Sequence, residues 1–355
     1  MNKRNILILG ASYGSLLGAK LLLAGHSVHL VCLPAEADLI NADGIRVRLP
    51  VKGREGLVEI DSRKIPGQLS ASGPQEVDPS RFDLVALAMQ EPQYGAPGVR
   101  ELMQKVAEKR VPCMSIMNMP PLTFLRRLPG VDAASLRMAY TDPSVWDPFD
   151  PALMTLCSPD PQAFRPPEDK VNVLQVRLPT NFKAARFDDE AHTAILRELE
   201  AGIEAIRFPL DGGTVELPVK LKTFDSLYVP LAKWSMLLAG NYRCVLEDGV
   251  RPIREAVHGD LAQSERVYRW VMQVCMAVGA KEQDLVPFEK YANAALGLAS
   301  PSSAARALAA GARNIERVDR LVQAIARQQG MSLPELDEIV RIVDLRLERN
   351  RQAAA

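Results

Sequence analysis

The stretch from Asn5 to Cys32 constrains this chain more than any other part of it. An apolar run of strand length, Asn5 to Leu9, stops at Gly10, and helical spacing follows from about Ser15 to Ala24. Gly25 closes that helix, as glycine does where the backbone turns left-handed after a last helical turn. Val28 to Cys32 (VHLVC) then reads as a second strand. Strand, helix and strand within about thirty residues make a βαβ unit, whose two strands run parallel in one sheet. A parallel sheet is covered on both faces, so the rest of the chain must supply more apolar strands and the helices that bury them.

Phe82 to Met89 (FDLVALAM) and Pro112 to Met117 (PCMSIM) read as such strands, with a helix from Val99 to Lys109. Gly44 to Pro50 and Leu57 to Ile60 alternate apolar and polar residues and read as a hairpin decorating the sheet. Residues 159 to 170, with Pro159, Pro161, Pro166 and Pro167, read as an irregular surface excursion. From about Asp188 strands stop and helical periodicity takes over, over Asp189 to Ala205, Leu227 to Leu246, Gln263 to Val278, Ala304 to Gln329 and Leu333 to Arg349. The expected layout is a Rossmann-type α/β domain with a mostly parallel, doubly wound sheet over residues 1–207, then an all-α domain over residues 208–355. Pro209 and the pair Gly212-Gly213 mark the joint.

Composition excludes several functions. Forty-three basic and 43 acidic residues leave no net charge to drive binding to nucleic acid or an anionic membrane. The five cysteines are scattered without CxxC spacing and the four histidines form no HxxxH or HExxH pattern, so no metal is expected. The opening MNKRN enters the first strand at once, and the expectation is a soluble cytoplasmic protein with reduced thiols.

The turn Gly10-Ala11-Ser12-Tyr13-Gly14 sits where a strand feeds a helix. There the free N–H groups and the dipole of the helix N-terminus favour a pyrophosphate, and Gly10, Ser12, Tyr13 and Gly14 are the candidate cofactor contacts. The plainer alternative is that Gly14 and Gly18 only let the helix pack closely on the sheet. Tyr13 either stacks on the cofactor or seals a shortened loop. After the second strand stand Leu33 and Pro34, where an acid would select NAD and an arginine NADP; Glu36 or Asp38, farther along, could serve instead. Both nucleotides stay open.

Taken in order, several motifs resemble the ketopantoate reductase (2-dehydropantoate 2-reductase) family over most of the chain. GASYGSLLGAKLLLAGHSVHLV is similar to its glycine turn, helix and second strand; FDLVALAMQEPQ resembles the strand whose end faces the cofactor; and SIMN resembles the strand ending in an asparagine near the nicotinamide, here Asn118. LAKWSMLLAGN resembles the helix with the catalytic lysine, here Lys233, and an asparagine eight residues on, here Asn241. PSSAARALAAGARNIERVD resembles the Ser-Ser helix, and QGMSLPE its glycine-to-proline ending. The resemblance implies an NADP- or NAD-dependent reductase of a small anionic 2-oxo acid. It adds Gln90 and Asn118 to the cofactor contacts, makes Asn118, Asn241 and Ser303 substrate contacts, and gives Lys233, Asn241 and Glu316 catalytic roles. Gln90 stands where the family has lysine, Leu33 where it has arginine, Leu237 where it has a second asparagine, and Glu316 one place beyond the expected acid.

Physical chemistry supports the central assignment. Reduction of a carbonyl needs a proton for the developing alkoxide, and a lysine in apolar surroundings (Leu231, Ala232, Trp234, Met236, Leu237) is suited to give it. The alternative is a snorkelling lysine. Asn241 is as readily a backbone-paired helix residue, Ser302 and Ser303 are good helix caps, Asn118 a turn residue, and Glu316 part of a charged face with Arg313, Arg317 and Asp319. A homodimer through the helical half would bury runs such as Leu227 to Leu246. A second functional class also fits: a dehydrogenase-fold protein without redox activity, acting as a lyase, a hydrolase or a ligand-binding module.

Overall fold

In the computed structural model, which describes residues 2–353, the opening apolar run becomes β1 (Asn5–Leu9) and α1 (Ala11–Leu23) follows after the single residue Gly10. The chain continues through β2 (Ser27–Val31), α2 (Pro34–Asp43), β3 (Arg46–Pro50), β4 (Leu57–Asp61), β5 (Gln68–Ser72), β6 (Leu84–Leu87), α3 (Val99–Glu108) and β7 (Cys113–Ile116). A short α4 (Leu122–Leu125) precedes β8 (Met154–Ser158), β9 (Gln162–Phe164), β10 (Val173–Leu178), β11 (Phe182–Ala185), α5 (Glu190–Glu204), β12 (Phe208–Leu210), β13 (Gly213–Val215) and β14 (Leu221–Phe224).

Eight strands form the main sheet in the order β14-β11-β8-β7-β6-β1-β2-β5. The six from β8 to β5 are parallel, and β11 and β14 run opposite to them. The expected mostly parallel, doubly wound sheet is present. The hairpin β3-β4 forms, but in a separate four-stranded sheet, β4-β3-β10-β9, rather than on the main one. Helix α1 packs on β1 and β2 on one side and on β3, β9 and β10 on the other. A helix between two sheets has no solvent face, which is why Leu16, Leu17, Leu21 and Leu22 are all buried with Lys20 beside them.

Two expectations fail here. The excursion at residues 159–170 contains β9, whose three residues are too few for alternation to show. Strands also persist beyond Asp188: Phe208–Leu210, at the expected joint, pairs with Gly213–Val215 as a two-stranded ribbon, and β14 extends the main sheet.

Contacts divide the chain into two compact units. The first holds residues 1–89, 93–117 and 144–225; the second holds 90–92, 118–143 and 226–355. The second is helical: α6 (Lys233–Met236), α7 (Ile253–His258), α8 (Leu261–Ala277), α9 (Phe288–Ala295), α10 (Ser303–Ala309), α11 (Val318–Gln328) and α12 (Pro334–Gln352). No helix among the described residues is long and apolar enough to cross a membrane. The helix expected over Ala304 to Gln329 is broken: α10 ends, Gly311 takes φ +88°, and an extended stretch leads to α11. The helix expected over Leu227 to Leu246 is a composite of a 3₁₀ turn (Val229–Ala232), α6, a π turn (Leu237–Asn241) and another 3₁₀ turn (Tyr242–Cys244).

Candidate active site

In the first unit the glycine turn stands at the switch point of the sheet, where strand order departs from β1 toward β2 on one side and β6 on the other. Gly10 has φ +103°, and a Cβ there would lie 2.6 Å from Met89 Cγ and 2.8 Å from the Ala88 carbonyl oxygen at the end of β6. Only glycine suits that position. Gly14 is inside α1, where a Cβ would sit 2.6 Å from Ile8 Cγ2, so it serves the close packing of α1 on β1. Gly18 has ordinary contact distances and is not required in that way. Among the described residues no side chain caps the N-terminus of α1, which suits the phosphates of a dinucleotide, and Ser12 in that first turn is exposed. Tyr13 is committed elsewhere: its hydroxyl donates to the Pro161 carbonyl at 2.7 Å and its ring meets Phe182 edge-on at 5.9 Å. Gly10, Ser12, Tyr13 and Gly14 are thus gathered at one strand end. Gln90 is exposed just after β6, in a stretch belonging to the second unit.

In the second unit, residues far apart in sequence converge. Asn118 Nδ2 donates to Glu316 Oε2 at 3.2 Å across 198 positions. The Glu316 carboxylate also accepts the backbone N–H groups of Glu91 and Met119. It is only 7% exposed, and burial pushes its pKa up to about 7; nearby Glu91 adds to the rise while the three donors oppose it. Glu316 is therefore no part of a charged helix face, because the break between α10 and α11 turns it inward. Its segment is pinned: the Tyr242 hydroxyl donates to the Glu316 carbonyl and accepts from Val318 N at 3.0 Å, and Arg317 N donates to Met119 Sδ at 3.4 Å.

Glu91 escaped the sequence reading. It is 2% exposed, its Oε1 accepts Thr141 N at 3.0 Å, and its Oε2 has no partner among the described residues. Burial raises its pKa. The signal was its place directly after Gln90, in the stretch FDLVALAMQEPQ that carries the family resemblance. Tyr140, buried with its hydroxyl on the Pro120 carbonyl at 2.5 Å, feels both carboxylates.

Lys233 opens α6 and Asn241 ends the π turn, and both are half-buried. In a straight α-helix, residues eight apart point about 80° away from each other. A π turn, with more residues per turn, brings them nearer a common face. Gly240 leaves room beside this turn for Tyr291: a Cβ there would overlap the Tyr291 hydroxyl, which donates to the Met236 carbonyl at 3.0 Å. The Asn241 carbonyl accepts Ser302 Oγ at 2.7 Å, and Ser302 caps α10 through Ala305 N at 3.2 Å. Ser302 is the cap, and Ser303 is left exposed in the first turn. The structure thus joins Asn118 to Glu316 and the Asn241 carbonyl to Ser302, but not Asn241 to Ser303; Tyr242, next to Asn241, ties that stretch to the Glu316 segment.

No known family profile and no curated protein matches this sequence significantly. Solved structures do match it. The 2-dehydropantoate 2-reductase of Methylococcus capsulatus is 17% identical over 98% of this chain and 97% of its own, with a TM-score of 0.62. D-mandelate dehydrogenase, in a ternary structure with NADH and anilino(oxo)acetate, is 15% identical over 98% of this chain and 99% of its own, with a TM-score of 0.63. A dimeric ketopantoate reductase from Staphylococcus aureus is 10% identical over 98% and 99%, with a TM-score of 0.61. At these identities the likeness is one of fold: the chain has the ketopantoate reductase fold, in a sequence that has diverged far from these structures.

Proposed function

We propose that the chain is an NAD(P)H-dependent reductase of a 2-oxo acid or a related small anionic carbonyl compound. The observation that carries the reading is the hydrogen bond from Asn118 to buried Glu316, two residues named separately by the family resemblance and brought together by a loop no periodicity announced. The neighbours of this fold add weight, one being a 2-dehydropantoate 2-reductase and another a dehydrogenase solved with NADH and anilino(oxo)acetate.

In this reading the uncapped N-terminus of α1, with Gly10, Ser12 and Gly14, takes the pyrophosphate, and Tyr13 holds the Pro161 segment beside it. The family resemblance adds Gln90 and Asn118 as further candidate cofactor contacts. When bound, the nicotinamide supplies the hydride. Lys233 carries the proton that passes from its Nζ to the substrate oxygen, and its charge stabilises the oxygen before transfer. The Asn241 amide holds that oxygen, and the Ser303 hydroxyl takes the carboxylate. Glu316 orients the Asn118 amide, and its burial favours the protonated carboxyl.

The test is fluorescence titration with NADH and NADPH, followed by Lys233→Ala kinetics on a panel of 2-oxo acids. The expected result is tight binding of at least one nucleotide and a fall in kcat of about 10²- to 10⁴-fold with nucleotide binding intact. Binding of neither nucleotide sinks the proposal and favours a dehydrogenase-fold protein without redox activity. The neutral Leu33 and Gln90, both exposed, are the observations that support that second reading. We also infer a homodimer, like the Staphylococcus aureus enzyme, and a cytoplasmic location; light scattering checks the first and fractionation the second.

A further inference from the structure

The first unit pairs Glu36, one of the two acids the sequence offers for reading the cofactor's ribose, with a distant arginine. Position 33, which caps α2 just after β2, is a leucine 74% exposed. Pro34 starts α2, and Glu36 lies in its first turn with its N–H on the Leu33 carbonyl at 3.0 Å. The Glu36 Oε1 accepts from Arg165 Nη2 in an ion pair that spans 129 positions. Their side chains are 13% and 28% exposed, so the pair is held against the protein with part of each side chain still at the surface. Both charges act on the thiol of Cys32, the residue directly after β2, which burial and then Glu36 push up to about 12 while Arg165 draws it down. The carboxylate therefore reaches back from α2 toward the carboxyl end of β2.

Arg165 arrives on a strap that starts at the glycine turn. Pro161 is fixed to Tyr13, β9 follows, and Arg165 is the next residue. On the same strap the Arg177 guanidinium covers the Phe164 ring at 4.2 Å. The segment from Pro161 to Arg165 thus connects the N-terminus of α1 to the first turn of α2, the stretch along which the adenosine half of a dinucleotide lies.

We infer that Glu36 reads the adenosine ribose, with Arg165 as the positioning residue that orients its carboxylate, so that the chain takes NADH in preference to NADPH. The inference rests on the nicotinamide reading above. A carboxylate accepts hydrogen bonds from free 2′ and 3′ hydroxyls. It repels a 2′-phosphate carrying about two negative charges, and a guanidinium already matched by one carboxylate offers that phosphate no net positive charge.

The experiment is titration of the parent protein, Glu36→Gln and Arg165→Ala with NADH and NADPH by fluorescence, and with ADP and 2′-phospho-ADP by calorimetry. Circular dichroism checks the fold of each variant. The parent is expected to bind NADH at least about tenfold more tightly than NADPH, and Glu36→Gln to remove most of that ratio by weakening NADH. Arg165→Ala is expected to narrow the ratio in the same direction, which a merely structural strut would not do. Tighter binding of NADPH by the parent, lost in Arg165→Ala, overturns the inference and makes Arg165 a phosphate contact. Equal weakening of both nucleotides in the variants also overturns it, leaving the pair a structural clamp. Binding of neither nucleotide by the parent refutes the reductase reading itself, and this inference with it.

Discussion

Substituting alanine for Gly240 tests the geometry of the second unit at one atom. The new Cβ would overlap the Tyr291 hydroxyl and lie 3.2 Å from both Tyr291 Cζ and Val257 Cγ2. Tyr291 is 6% exposed and its ring stacks on Tyr268 at 5.4 Å, so it has little room to retreat. Overpacking of this kind costs about 1–3 kcal/mol. Displacing the hydroxyl also forfeits its bond to the Met236 carbonyl, about 1 kcal/mol. Alanine's better helix propensity returns about 1 kcal/mol. The expected net loss is about 1–3 kcal/mol in urea unfolding. Tyr291→Phe removes the clashing atom, so the double variant should lose less than the sum of the two single ones, by a coupling of about 1–2 kcal/mol. Because Asn241 follows directly, Gly240→Ala should also lower kcat. A neutral or stabilising Gly240→Ala, or additive losses in the double variant, would refute the claim that this glycine exists for the tyrosine hydroxyl.

Three further outcomes are expected. Because Glu316 is raised to about 7, the folded chain keeps a proton there that the unfolded chain has released, so stability falls as pH rises from about 4.5 to 7; Glu91 adds a slope of the same sign. Glu316→Gln should flatten that slope and exceed the parent in stability at about pH 8, as read by denaturation at several pH values. Lys20, 1% exposed with its Nζ on the Pro218 carbonyl at 2.7 Å, is lowered to about 7 chiefly by burial. Stability should therefore rise between about pH 7 and 10, and Lys20→Met should remove most of that rise in the same assay. Gly10→Ala, at φ +103° against the end of β6, should cost about 2 kcal/mol or more in urea unfolding and weaken nucleotide binding in the fluorescence titration.

What the sequence disclosed follows from the range of the interactions. The β1-α1-β2 unit was legible because strand run, glycine and helical spacing lie within one local window. Strands β6 and β7 were legible because each sits in a near-continuous apolar run, FDLVALAM and PCMSIM. The three-residue β9 and the four-residue β14 were not, since pairing with distant strands, rather than their own pattern, makes them strands. The break between α10 and α11 was hidden because Ala304 to Gln329 keeps a helical period on both sides of it. In the candidate site the family motifs located Asn118, Lys233, Asn241 and Glu316, but not the burial of Glu316. That depends on Tyr242, Met119 and Glu91, each far away along the chain. Glu36 could be named from its place after β2, but its pairing with Arg165, 129 positions away, carries no local signal.

The order in which the two units use the chain sets a condition on their making. Residues 118–143 belong to the second unit, although they are synthesised between β7 and β8 of the first. Gln328 reaches the Asp132 carbonyl and Ser135, and Gln329 reaches the Gly130 carbonyl, so that segment finds its partners only once α11 exists. During translation the first unit can close after residue 225 while this excursion still lacks those partners. A fragment beginning at residue 226 would lack the same piece. The helical half is thus not a detachable module, and cutting the chain once, at residue 225, would leave both sides of that contact exposed.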